Sequence, residues 1–297
     1  MSTVNPQFAL GWDHVRAPLA RQAMLDTRRF ATVIQGEKYP DAISLTQHRF
    51  RQLEQGQAGT CWVHGPTFLA ETSMVAKGYE AFATCRRLTA WMGKQLEGGG
   101  NPTNGGSPTD AIMAMTREKG AGIAHESLLP YSDNSGALGT KPPQAVFDDA
   151  KAAHISVPVD VRSDDDSRTL IAGNTPVGNG IWWPYGWDSQ QTFMTTIGQG
   201  TYGHALTEVG YVMPGVWDQY DWWQLENWHG LLYPPLPADK AAKVPGYKPV
   251  SATKTSDFWV RGDVYRTVQG YGYFERVSAT DLDGIGKLVK WSYDNFI

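Results

Sequence analysis

Gln55-Gly56-Gln57-Ala58-Gly59-Thr60-Cys61-Trp62 is the stretch on which the reading of the fold turns. Two glycines and a glutamine stand just before a cysteine. From Cys61 to Met92 the chain then becomes apolar and compatible with a helix, so the cysteine is expected to open that helix. A free cysteine is by default a small buried hydrophobe. At a helix N-terminus, however, unpaired N–H groups and the dipole favour a thiolate over a thiol, which makes Cys61 a candidate nucleophile. Pro66 falls one turn in, where its missing N–H and its ring predict a bend near Gly65-Pro66.

Upstream, Met1 to Glu37 holds Trp12, His14, several arginines and only a short helical pattern around 18–30, and reads as an N-terminal arm. From Tyr39-Pro40 to Gly56 polar and apolar residues alternate, which places a strand near 38–51. Downstream, the glycine-rich loop from Glu97 to Gly106 leads into Ser107-Pro108-Thr109-Asp110, a helix start with Ser107 as cap, Pro108 at the first position and an acid in the first turn. From Ile155 onward, short β-branched and aromatic runs between Gly, Pro, Asn and Asp read as strands. The class is therefore α+β, with a helical lobe over 52–150 and a β-rich lobe over 151–297. Five prolines between Leu231 and Ser256 mark a long surface loop or insertion at 231–256. The run Asp164-Asp165-Asp166 reads as a solvated loop.

A nucleophilic thiolate needs a base, and the chain has seven histidines. His204 stands apart because Tyr202-Gly203-His204-Ala205-Leu206-Thr207-Glu208 is a short strand pattern reached through a glycine. Histidines 14, 48, 64, 125, 154 and 229 read as surface or locally hydrogen-bonded residues. Composition narrows the class: of 297 residues 41% are hydrophobic, 12% aromatic and 19% charged, enough apolar surface to order a core and exclude a disordered chain. A net charge of −4 with scattered Lys and Arg argues against nucleic acid as a partner. No run of about 18 apolar residues occurs, and residues 1–11 lack the pattern of a secretory signal, so no membrane partner or export is expected. If one of the two cysteines, Cys61 and Cys85, is catalytic, no structural disulfide remains, which suits a reducing, cytoplasmic or assembly-associated setting. No Cys/His cluster has zinc spacing, and neither a metal nor another cofactor is expected.

Four segments in order resemble the papain-like cysteine peptidases: Gln55 to Trp62; Asn104-Gly105-Gly106 followed by a helix and Pro130-Tyr131; the His204 segment; and Trp223-Gln224-Leu225-Glu226-Asn227-Trp228-His229-Gly230. The 143 residues from Cys61 to His204 lie within the roughly 130 to 150 that separate the pair in that family. The resemblance implies a two-lobe fold, a helical lobe with the nucleophile at a helix N-terminus facing an antiparallel, β-barrel-like lobe. By the same resemblance Cys61 attacks a peptide carbonyl, His204 carries the proton, and Asn227 orients the imidazole. Gln55 joins the Cys61 N–H in holding the oxyanion. Gly105 and Gly106 would bind an extended polypeptide backbone, with Pro108, Ala205 and Trp62 as further substrate-binding residues.

Three departures stand out: Ala58 replaces a disulfide cysteine, Asn227 follows His204 by 23 residues, and Asn227-Trp228-His229-Gly230 replaces Asn-Ser-Trp-Gly. In the family that Trp covers the Asn–His hydrogen bond, and Trp228 would do so here if the turn is remodelled. A cysteine endopeptidase or aminopeptidase-like hydrolase is the expected activity. The short arm, the Pro-rich insertion and the altered Asn motif keep open a structural or docking protein with a papain-like fold, such as a phage virion component with latent or no proteolysis. The same Cys–His pair would also serve another acyl transfer such as transamidation. The arm 1–37 and the loop 231–256 are the candidate surfaces for a protein partner.

Overall fold

The computed structural model describes residues 39–184, 186–187, 191–197, 201–270 and 275–283. The arm expected at 1–37 lies outside them. The chain begins with a short strand β1 (Ala42–Ser44), within the range expected for one, and then builds the helical lobe: α1 (Cys61–Ala76), α2 (Arg86–Leu96), α3 (Pro108–Ala114), α4 (Ser135–Gly139) and α5 (Gln144–Ala150). The second lobe follows with β2 (His154–Asp160), α6 (Asp164–Ala172), β3 (Val177–Pro184), β4 (Phe193–Met194), β5 (Thr201–Val212), β6 (Trp222–Glu226), α7 (Ala238–Ala241), β7 (Asp257–Arg261), α8 (Gly262–Gly270) and β8 (Glu275–Asp283). The strands join in the order β2-β8-β3-β5-β6-β7-β4, with β1 beside the far end of β5. All pairs are antiparallel except β4 with β7, and among the described residues the sheet path does not close.

The apolar stretch from Cys61 to Met92 is two helices, not one. Gly78 at φ +74° ends α1, with Gly78 N–H on the Val75 carbonyl at 3.0 Å and Tyr79 N–H on that of Met74 at 3.0 Å. Before that break α1 is buried from Cys61 through Met74 and continues past the position of Pro66. Such a helix is buried on every side because it is packed on every side. One side meets β5 and β3. The other side joins Leu69, Ala70 and Met74 to Ile112, Met115, Ile123 and Ile155 in a second core.

The start of α3 is as its residues predict: Ser107 Oγ accepts from the Asp110 N–H at 3.3 Å and Pro108 is its first residue. Asp164-Asp165-Asp166 corrects the expectation of a solvated loop. These acids fill the first turn of α6, where Ser163 and Asp166 form a reciprocal capping box, and the helix dipole favours them there. The 231–256 segment is exposed or half-buried along most of its length but is anchored at several points. Tyr233 and Thr255 exchange backbone hydrogen bonds at 3.1 and 2.8 Å, and Leu236 and Val244 join Ala42, Val212, Trp222 and Trp259 in a core of their own. No described helix is long and apolar enough to cross a membrane.

In the helical lobe the Trp62 ring is wedged against two glycines. A Cβ on Gly106 would stand 2.5 Å from Trp62 Cδ2, and one on Gly93 would stand 2.6 Å from Cζ3. Gly106→Ala is therefore expected to lower stability by about 1–3 kcal/mol through overpacking. A urea midpoint equal to that of the native chain would contradict this packing.

Candidate active site

Cys61 is the first residue of α1 and is fully buried. Its loop is held from several sides. Gln55 N–H donates to the Trp228 carbonyl at 3.1 Å, and Gln55 Nε2 donates to the Ala58 carbonyl at 3.0 Å. Tyr131, from the Pro130-Tyr131 pair, donates its hydroxyl to the Gln55 carbonyl at 2.9 Å. That hydroxyl has one proton, so Thr60 Oγ1, 2.8 Å away, is the donor to it. Tyr131 is pinned in turn by the Arg86 guanidinium, 4.0 Å above its ring. Arg86 and Arg51 share the carboxylate of Glu126, and Arg51 also grips Glu71 on α1. Burial pushes Glu126 up, but these two cations outweigh it and bring it down to about 2.

The strand lobe reaches this loop through β5. Ala205 N–H, directly after His204, donates to Cys61 Sγ at 3.4 Å, and Thr207 Oγ1 donates to the Gly65 carbonyl at 3.2 Å. His204 Nε2 lies 2.8 Å from Asn227 Oδ1. The donor and acceptor roles follow from the neighbours. Trp228 N–H, which can only donate, meets the same Asn227 atom at 2.7 Å, so that atom is the oxygen. Asn227 Nδ2 accordingly donates to Tyr233 Oη at 2.9 Å. The proton on the imidazole is therefore on Nε2, and Nδ1 keeps its lone pair. Among the described residues Nδ1 is buried without a hydrogen-bond partner.

The long gap between His204 and Asn227 is absorbed away from the site. β5 and β6 pair with Thr207 opposite Glu226, one bulge lies between Glu208 and Gly210, and the additional residues form the turn after Val212. Trp228 does not cover the His204–Asn227 bond. Its ring packs 5.4 Å from Phe68 and 6.3 Å from His64, on α1, and its Nε1 donates to the Ala205 carbonyl at 2.8 Å. Two other rings stand against that of His204: His229, at 4.5 Å between centroids, and Trp183, edge-on at 5.0 Å. The chain bends at Trp228, and neither His229 nor Tyr233, inside the Pro-rich segment, carried a local signal of its place.

Gly105, at φ +87°, and Gly106 are buried beside the cysteine loop, to which Asn104 is joined by a bridge with Gly59. Only glycine takes that φ without strain. Pro108 begins α3 and is buried, and Ala205 follows His204 on β5. Trp62 is fully buried under Gly106, with Nε1 donating to the Pro102 carbonyl at 3.2 Å, so it supports the glycine segment from beneath. No set of three His, Cys, Asp or Glu among the described residues is placed to hold a metal.

Burial dominates the electrostatics. It holds His204 well below the usual histidine value, helped by the neighbouring His229 and opposed by the Asn227 hydrogen bond. His64, one turn into α1, is brought down to about 3 by burial and by Arg86. Its Nδ1 faces the Thr60 carbonyl at 2.8 Å, and its Nε2 lies 3.1 Å from both Arg86 Nη1 and the Glu54 carbonyl. Cys85 is buried and outside any disulfide, and burial pushes its thiol up to about 11.

No protein-family model and no curated protein matches the chain in sequence. Solved structures do. Xylellain, a cysteine protease from Xylella fastidiosa, superposes with a TM-score of 0.68 at 17% identity over 93% of this chain and 98% of its own. Procathepsin B S9 from Trypanosoma congolense gives 0.63 at 12% over 92% and 87%. The bromelain protease from Ananas comosus gives 0.57 at 15% over 82% and 100%. The class is set by these likenesses: the chain has the papain-like, two-lobe α+β fold of cysteine proteases. At such identities the likeness speaks for the fold.

His64 offers a test of the buried electrostatics. An unfolded histidine takes a proton near pH 6.5 while folded His64 stays neutral down to about 3, so the unfolded chain binds more protons in between. Stability from this group is full above about 6.5 and is lost as pH falls toward 3. Replacing it by Gln, which does not titrate, is expected to flatten the fall in unfolding free energy between pH 6.5 and pH 5 by about 1 kcal/mol per pH unit. Urea titrations at several pH values read it, and parallel curves would refute a buried neutral His64.

Proposed function

We propose that this chain is a papain-like cysteine peptidase that hydrolyses peptide bonds through Cys61, His204 and Asn227. The observation that carries the reading is the Ala205 N–H on Cys61 Sγ at 3.4 Å, with the adjacent His204 turned by Asn227 so that its lone-pair Nδ1 is left for the thiol proton. In the proposed cycle that proton passes to Nδ1 and the sulphur bonds to the carbonyl carbon. The displaced electron pair sits on the oxygen, held by the Cys61 N–H and by Gln55 Nε2. The C–N bond then breaks as Nδ1 returns its proton to the amine. A water, deprotonated at Nδ1, attacks the thioester and releases the acid and the thiol. Gly105 and Gly106 are assigned to the substrate backbone, with Pro108 and Ala205 beside them.

A second reading, a latent or docking protein, is favoured by one fact: Cys61, His204, Asn227 and Gly106 are all buried from solvent. Alkylation by iodoacetamide separates the two readings. The peptidase is expected to label at Cys61 and not at Cys85, whose thiol stays protonated near neutral pH, and to lose at least about 100-fold in rate in His204→Ala. Hydrolysis of an unfolded protein substrate should disappear in Cys61→Ala. A Cys61 that stays unreactive, both in the full chain and in one beginning at Lys38, would favour the docking reading and overturn the proposal.

A further inference from the structure

A carboxylate holds the main chain where it leaves the glycine segment 105–106. Glu97 stands at the end of α2, and its Oε1 accepts the Ser107 N–H at 3.1 Å. Its other oxygen takes Lys94 Nζ, one turn back on the same helix. The side chains of Lys94 and Glu97 are 8% and 7% exposed, and Lys94 Nζ lies 5.3 Å from the centre of the Trp62 ring, the ring packed against Gly106. The helix they sit on does not account for the pair. An acid at a helix C-terminus opposes the dipole, and a nearly buried ion pair adds little net stability because desolvation offsets the attraction. The N–H of a helix cap is commonly taken by an acid at the third helical position, as at Ser163-Asp166. Ser107 instead gives its N–H to an acid at the end of another helix, and the chain reverses through Gly98, Gly99 and Gly100, all at positive φ, to bring the two together.

We propose that Glu97, held by Lys94, is a positioning residue for the substrate main chain, because it sets the direction of the Gly106 carbonyl. The proposal rests on the reading of Cys61 and His204 as nucleophile and base, and of Gly105 and Gly106 as the segment that takes the substrate backbone. The step from Glu97 to the carbonyl is geometric. The Gly106 C=O and the Ser107 N–H belong to one planar peptide group, and no described peptide bond is cis, so the two point in opposite directions. A carboxylate on the N–H therefore fixes the plane, and with it the line along which Gly106 accepts a hydrogen bond. The same bond polarises the peptide group toward its oxygen, which makes that oxygen the better acceptor for a substrate N–H.

The other end of the segment is fixed separately, by the bridge between Asn104 and Gly59 of the cysteine loop. Between these two anchors the glycines have no side chains to hold them. A charged acceptor suits the task because its hydrogen bond is about twice as strong as that of a neutral one. Loss of Glu97 should then leave the Cys61–His204 pair intact and weaken the hold on an extended chain.

The test sets two readouts side by side in the full chain, for the native protein, Glu97→Ala, Glu97→Gln, Lys94→Met and His204→Ala. One is steady-state hydrolysis of a peptide amide extended on the acyl side. The other is the rate of Cys61 alkylation by iodoacetamide, which needs the thiol and the imidazole but no extended chain. Glu97→Ala is expected to raise KM for the peptide by about 10-fold or more, as for one lost charge-assisted hydrogen bond, with kcat less affected and alkylation within about 2-fold of native. Glu97→Gln, whose amide oxygen still accepts the Ser107 N–H, should recover most of the loss. Lys94→Met, which keeps a stem against Trp62 and removes the charge, should show a smaller loss of the same kind. A native KM in Glu97→Ala would overturn the inference and leave the peptidase reading standing. So would alkylation that falls in step with hydrolysis in both Glu97→Ala and Lys94→Met, since the pair would then be a brace of the fold alone. A native Cys61 that alkylates no faster than in His204→Ala would overturn the peptidase reading, and the role of Glu97 with it.

Discussion

The contact on which the rest of the molecule depends is a backbone one: the N–H of Ala205 on the sulphur of Cys61, at 3.4 Å. It joins the head of the central helix α1 to the strand β5, so the separation of the two candidate reactive side chains is set by how the lobes pack. Neither partner has room to drift. α1 is enclosed from Cys61 to Met74, and Thr207 on the same strand holds the Gly65 carbonyl one turn further along. A loosening between the lobes would therefore act on the chemistry before it acted on the fold.

The second constraint is the amide of Asn227, and it is over-determined. Its oxygen takes the Trp228 N–H and the His204 Nε2–H, and its nitrogen donates to Tyr233. Flipping the amide would set N–H against N–H at Trp228 and leave a buried donor without an acceptor, an arrangement that costs about 1–3 kcal/mol. Tyr233 is itself tied to Thr255, so the Pro-rich segment closes on the site and supports it. Behind it Arg49 bridges Glu226 and Asp257 at 2.7 Å each. A buried trio of this kind is weak evidence for stability, because desolvation offsets the attraction. Its effect is geometric: it fixes Glu226, and hence the direction in which Asn227 leaves β6.

What could be read from the residues was whatever local chemistry determines. Ser107-Pro108-Thr109-Asp110 announces a helix because its cap, its proline and its acid satisfy orphan N–H groups that any helix start exposes. Cys61 and His204 stand out because glycines and a change of periodicity surround them. Asn227 was legible at the level of its motif. The turn of Trp228 toward α1 was not, since it depends on Phe68 and His64, distant in sequence, offering it a place. Tyr233 is the clearest case. Nothing in a proline-rich stretch distinguishes one tyrosine from another until β7 brings Thr255 beside it and closes the loop. The break at Lys77-Gly78 and the capping box at Ser163-Asp166 were visible in principle; an apolar run that continues through a glycine, and three acids in a row, obscured them.

The neutral partner of His204 shapes the chemistry available to the pair. A carboxylate in place of Asn227 would hold the imidazole protonated by charge; an amide offers only a dipole, and burial wins, leaving His204 well below its ordinary value. The positive ring must then be stabilised by the sulphur itself. Two opposite charges about 4 Å apart attract by about 4 kcal/mol at an effective dielectric of 20, roughly three pKa units, enough to offset much of a burial penalty that either charge would face alone. In the proposed peptidase the pair would pass between a neutral and a zwitterionic form as one unit. In the proposed peptidase Asn227 would set where the proton can go, and the packing that brings the Ala205 N–H onto the sulphur would set whether it goes.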